Sequence, residues 1–249
     1  MHPPKTRDQQ KEADNQLVVS YKTLRNLIGF AGMLLPLILI LFSGRGEEDK
    51  WIENSISEYY YSSNGDLLVV VLSVLGVFLF TYQGYDWKES ALTSLAAVSG
   101  IGVAFSPTAA DQVSTYSIHV ANESVPMFLG IERHFVFAAL FFIALAIMSL
   151  HYFPKSDPQK AAHIKRQKAI RNRVYRICGW VIIGCVVVLG LYFIFKPFDS
   201  ILGIPVVFFF ETIAIKAFGL SWLTKGQTFW PDEEHYIKTA VKEIKAQIA

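Results

Sequence analysis

Long apolar runs alternate with polar loops along the whole chain, at residues 26–43, 67–85, 91–106, 134–153, 177–195 and 204–223. A bilayer-spanning helix needs about 20 mostly apolar residues. The pattern therefore predicts an all-α protein, a six-transmembrane-helix bundle over residues 25–225 preceded by a polar cytoplasmic tail at 1–24. Beyond Trp230, Pro231 suits a first helical turn, and Asp232, Glu233 and Glu234 favour a helix N-terminus. Ile237, Val241, Ile244 and Ile248 then recur at helical spacing with Lys238, Lys242 and Lys245 beside them. Residues 226–249 are expected to end in a cytoplasmic amphipathic helix, lying on the membrane or against a partner.

Composition agrees with the pattern: 52% of the 249 residues are hydrophobic and the mean hydropathy is +0.34, more than a soluble core requires. Charge placement adds an orientation. Of the 23 Lys and Arg, 18 fall on one side of the alternating runs and four on the other, with Lys216 inside the sixth run. Positive residues stay cytoplasmic, so both termini are expected in the cytoplasm of a multi-pass protein of the cell (inner) membrane. Trp87, Trp222 and Trp230 then fall at the inner interface. The basic stretch 155–176 reads first as a topology signal and second as an anionic-lipid surface. The net charge of +2 says little about nucleic acid by itself, but the basic residues fall in loops beside the apolar runs rather than on a face interleaved with aromatics, so no nucleic acid is expected as a partner. The expected partners are the lipid bilayer and, for some readings below, further copies of the chain.

Within the third run, Ala96 and Gly100 form a small-xxx-small pair that admits a neighbouring helix, which places this run in the middle of the bundle. Pro36 interrupts the first run and Pro107 follows the third. Cys178 and Cys185 lie about 10 Å apart on one helix face, too far for a disulfide, and read as packing residues.

The polar residues hardest to explain gather toward the outer side. They are Ser57 and its neighbours Ser55, Glu58 and Tyr59, Tyr60 and Tyr61; Asp66 at the start of the second run; Ser106, Thr108 and Asp111 after the third; His134 opening the fourth; and Glu211 two turns into the sixth. An ionisable group inside a membrane is costly and normally faces a bundle interior or a wet cavity. Glu211 is thus the strongest single pointer to a site. Asp66 also has a plain reading as a helix cap, and Lys216 can snorkel toward the cytoplasmic interface. Glu211 and Lys216, five residues apart, are poorly placed to pair.

The run Ser55-Ile56-Ser57-Glu58-Tyr59-Tyr60 leading to Asp66, together with Gly76 to Asp86, Gly102 to Thr108, His134-Phe135 and Arg171 to Gly179, resembles the uncharacterised bacterial DUF998-type multi-pass membrane proteins. That resemblance implies an integral membrane fold and no established activity. A weaker similarity is to the ceramidase and progestin-receptor superfamily of membrane hydrolases, in which a Ser, an Asp and several His surround zinc near one membrane face. It implies catalytic roles for Ser57, Asp66 and His134. The chain departs from that pattern in having no H-x-x-x-H pair in its sixth run, so a zinc site would need Asp66, Asp111 or Glu211 as ligands. Neither a metal nor any other cofactor is specified.

Three functions compete. The first is an outward-facing intramembrane pocket that handles a lipid or small solute, with Ser57, Asp66 and His134 as catalytic candidates and Asp111, Glu211 and Thr108 as substrate-binding ones. The second is a pore or proton path in an oligomer, with Glu211 and Lys216 at different depths. The third is a ceramidase-like hydrolase. Whether the protein is an enzyme stays open at this stage, and no nucleophile-elbow, P-loop or dinucleotide motif is present.

Overall fold

The computed structural model describes residues 7–42, 52–84, 86–106, 108, 127–128, 131–155, 165–195, 200–226 and 228–229, with side chains of the first helix from Lys22 onward and of the fifth from Gln167. The fold is mostly helical. Among the described residues six α-helices follow one another: α1 (Arg7–Phe42), α2 (Asp66–Thr81), α3 (Trp87–Ala104), α4 (Arg133–Ile147), α5 (Lys165–Phe195) and α6 (Val206–Lys225). A short 3₁₀ turn, Ser57–Tyr61, precedes α2, and a π turn, Met148–Tyr152, extends α4. Two antiparallel hairpins of two-residue strands, β1 (Met127–Phe128) with β2 (Ile131–Glu132) and β3 (Ser200–Ile201) with β4 (Ile204–Pro205), introduce α4 and α6. The second hairpin turns through Leu202 and Gly203, both at positive φ, as a tight two-residue hairpin turn requires.

Among the described residues four segments are long and apolar enough to cross a membrane: Lys22–Phe42, Arg133–Tyr152, Gln167–Phe195 and Val206–Lys225. α2 is apolar but shorter, at 16 residues. α3 has the length, but Ser90, Thr93, Ser94 and Ser99 dilute it. The expected C-terminal amphipathic helix falls on residues outside those described.

The centre of the bundle is α6, not α3 as the small residues of the third run suggested. Half of the α6 span is buried, and it packs on α1, α5 and α4, whereas α3 touches α2 and α4 and leaves Leu95 and Val98 exposed. The reason lies in glycines of other helices. A Cβ at Gly219 of α6 would come within 2.6 Å of the Met33 backbone nitrogen, and one at Gly29 of α1 within 2.7 Å of Leu223. Gly219→Ala is expected to force α1 and α6 apart at about 1–3 kcal/mol, measured as a lower melting temperature in detergent. Gly184→Ala, whose added Cβ meets nothing within 4 Å, should leave that temperature unchanged; equal losses would refute the close crossing.

At the end of the bundle where α2 stops and α3 starts, aromatic and charged groups close the core. Trp222 is 1% exposed and packs edge-on against Tyr82 (4.9 Å) and Phe153 (5.2 Å). It is a core residue rather than an interface anchor, because it points between helices. Trp87, by contrast, is 75% exposed. Asp86 caps α3 by accepting from the Glu89 amide at 2.8 Å, and that bond, followed by Lys155, holds its carboxyl below the usual carboxylate range. This capping contribution is present at neutral pH and is lost as pH falls through the lowered value. Glu89 is itself fully buried and accepts from Tyr82 Oη–H at 2.9 Å. Lys225, also buried, donates to the Phe153 carbonyl at 3.2 Å, within electrostatic reach of Arg25, Glu89 and Arg171. Cys178 and Cys185 are buried and free, in keeping with a packing role.

Candidate functional site

At the opposite end, the residues before α2 form a rigid loop for reasons visible in their order. Ser55 and Glu58 have the spacing of a capping box, and a shifted version of it forms: Glu58 N–H donates to Ser55 Oγ, and Glu58 Oε2 accepts from the N–H of Asn54, one residue before Ser55, both at 3.1 Å. The loop is then fastened to α6. Phe208 N–H donates to the Asn54 carbonyl at 3.0 Å, and Glu211 Oε2 accepts the Ile56 N–H at 2.7 Å. Tyr59 is fully buried beside Phe208, and burial pushes its phenol up to about 12 despite a hydrogen bond from the Glu53 backbone. Tyr61 Oη–H donates to the Thr108 carbonyl at 2.5 Å, tying the loop to the segment after α3.

This frame presents Ser57 to the first turn of α4. Ser57 Oγ lies 2.8 Å from His134 Nε2, and His134 Nδ1 lies 2.7 Å from the Ser106 carbonyl oxygen. A carbonyl can only accept, so in the neutral ring Nδ1 carries the proton and Nε2 offers its lone pair to the Ser57 hydroxyl. Serine, imidazole and an orienting acceptor thus stand in the order that nucleophile activation requires. Both side chains are buried, His134 at 4% exposure and Ser57 at 8%. The Ser106 carbonyl is available because α3 stops at Ala104, and helix ends leave carbonyls without intrahelical partners.

A cavity of about 40 Å³ adjoins the pair. Its walls are apolar, with Leu35, Leu72, Phe141, Phe142 and Ile215, and its polar lining is Ser57, His134 and Glu211. Helices α1, α2, α3, α4 and α6 all contribute, so the cavity exists only in the assembled bundle.

Of the residues singled out from sequence, Ser57, His134 and Glu211 are brought together. Thr108 is partly buried and joins the frame through its backbone carbonyl. Asp66 is exposed at the first residue of α2 and does not line the cavity. Asp111 lies outside the described residues. Lys216 is on the exposed face of α6, away from Glu211. Among the described residues no group of three or more His, Cys, Asp or Glu could hold a metal ion. Sequence reasoning grouped Ser106 with the outer polar residues but missed the role of its backbone carbonyl, whose signal was a helix ending just before Pro107. It also missed the buried Glu89 and Lys225, which sit at a helix start and a helix end where charges are ordinarily solvated.

These features define a helical, membrane-embedded protein with a buried serine–histidine pair. No family model, curated protein or solved structure matches the chain.

Proposed function

We propose that this protein is a multi-pass membrane enzyme that transfers or hydrolyses a small acyl group taken from a lipid or small-molecule ester, with both termini cytoplasmic and the Ser57 end facing outward. The observation that carries this reading is the Ser57–His134–Ser106 hydrogen-bond relay beside an apolar cavity. Ser57 Oγ adds to the substrate carbonyl carbon while its proton passes to His134 Nε2. The imidazolium then protonates the leaving oxygen, leaving Ser57 acylated. Water or an acceptor hydroxyl, deprotonated by His134, attacks the acyl carbonyl and releases the acid or the new ester. The Ser106 carbonyl holds the ring in the required tautomer, and Glu211 is a positioning residue that fixes the loop through Ile56.

The cavity sets the size of the acyl group. At about 10–15 Å³ for each water-sized guest, the 40 Å³ of the cavity favours a short acyl group such as acetyl or propionyl over a fatty chain. The alternative of a pore is less well supported, since Lys216 does not share the Glu211 side of α6.

The test is labelling by a small fluorophosphonate, which forms a stable bond to an activated serine. Purified protein in detergent is expected to carry the probe on the peptide containing Ser57, and Ser57→Ala protein to carry none there. Absence of Ser57 labelling in correctly folded protein across probes of several sizes would reject an enzymatic role. The orientation has its own check: a cysteine placed at residue 60 should react with an impermeant thiol reagent from outside the cell, and reaction only from inside would reverse the assignment.

A further inference from the structure

α5 is the least enclosed of the four long apolar segments, with 22% of its span buried, and so lies at the perimeter of the bundle. Near its start one face carries Arg173, Arg176, Ile177 and Trp180, all exposed, with Trp180 at 64%. Residues three and four apart share a helix face. Together with Asn172 and Val181, all on α5, they line a wide-open, shallow groove. Its upper half is cationic and amide-bearing, and its lower half is apolar. Among the described residues neither Arg173 nor Arg176 has a carboxylate partner, unlike Lys155, which pairs with Asp86 at 3.2 Å. Trp180 stands one turn, about 6 Å, further along the helix than Arg176, the depth at which an indole marks the boundary between headgroups and hydrocarbon.

We propose that this groove is a binding site for an anionic phospholipid, at the end of the bundle opposite Ser57. Guanidinium groups grip phosphate through paired, charge-assisted hydrogen bonds, so Arg173 and Arg176 hold the lipid phosphate, and Asn172 bonds to the headgroup beyond it. The acyl chains run down α5 past Ile177, Trp180 and Val181. A soluble phosphate would satisfy the two arginines but leave the apolar half of the groove without a partner, which is why a lipid is the occupant. This site stands apart from the acyl-transfer reading and does not depend on it.

The test compares phosphatidylglycerol with phosphatidylcholine, added to the whole protein in detergent. Melting temperature and lipid retention in native mass spectrometry are the readouts. The protein is expected to melt higher with phosphatidylglycerol and to retain it. Arg173→Gln with Arg176→Gln should remove that preference, lowering retention by at least about tenfold, with the melting temperature in phosphatidylcholine unchanged. Should the double variant fail to fold, each single variant is read in the same way. Lys22→Gln with Lys88→Gln, which removes the same charge elsewhere at this end, should retain the preference. The proposal is overturned if the arginine variants keep the preference or if the lysine control loses it equally. It is also overturned if inorganic phosphate stabilises the protein as much as phosphatidylglycerol does.

Discussion

Ser57→Ala is expected to lower turnover of a short-chain ester by at least about 10³-fold while leaving the protein inserted and folded, because removing a nucleophile removes the whole covalent route. His134→Asn should fall in the same range, and the double variant should be no worse than either single one, since the two groups act as a unit. Chain length provides a second axis. Acetyl esters should be turned over faster than octanoyl esters, and Phe142→Ala, which enlarges the cavity, should narrow the gap. Glu211 separates positioning from proton chemistry. Glu211→Gln keeps an acceptor for the Ile56 amide and should preserve Ser57 labelling. Glu211→Leu orphans that buried amide, a cost of about 1–3 kcal/mol, and should lose labelling and melting temperature together. If Gln abolishes labelling without loss of stability, Glu211 is a proton carrier and the positioning role is wrong.

Glu89→Ala should be among the most destabilising substitutions in the protein, by about 3–5 kcal/mol. It strips the Tyr82 hydroxyl of its acceptor and leaves the buried Lys225 ammonium without the carboxylate that offsets Arg25 and Arg171. Glu89→Gln keeps a hydrogen-bond acceptor for Tyr82 and should lose less. The informative variant is the double one. Lys225→Met in the Glu89→Ala background should recover part of the loss, because it removes the charge left behind, and the coupling is read from a double-mutant cycle. Additive losses would show that the two residues act separately, and a small effect of Glu89→Ala would show that the cluster is open to water.

How much of this was legible in the sequence differs from element to element. The four long apolar helices were, because about 20 consecutive apolar residues have one economical use. The hydroxyl-, imidazole- and carboxyl-bearing residues of the site were legible as separate oddities: Ser57 in a polar outer loop, His134 at a helix start and Glu211 within an apolar run. What bound them was not, since Ser57 and His134 are 77 residues apart and Ile56 and Glu211 are 155 apart, and hydrophobic periodicity carries no information about which helix ends meet. Asp66 shows the limit from the other side. A carboxylate at a helix start looks alike whether it faces a pocket or solvent, and only the rotation of α2 in the bundle left it exposed.

The sequence by itself determined the helical class and four of its six expected apolar spans, because these follow from local hydropathy and backbone hydrogen bonding. The tertiary structure decided that α6 is the central helix, that Trp222 is core, that Glu89 and Lys225 are buried, and that a backbone carbonyl orients His134. Each of these depends on the distance between helices, set by glycines such as Gly29 and Gly219 that let two backbones touch, and on a carbonyl freed where a helix ends. Neither contact distance nor an unpaired main-chain oxygen is written in the identity of any one side chain.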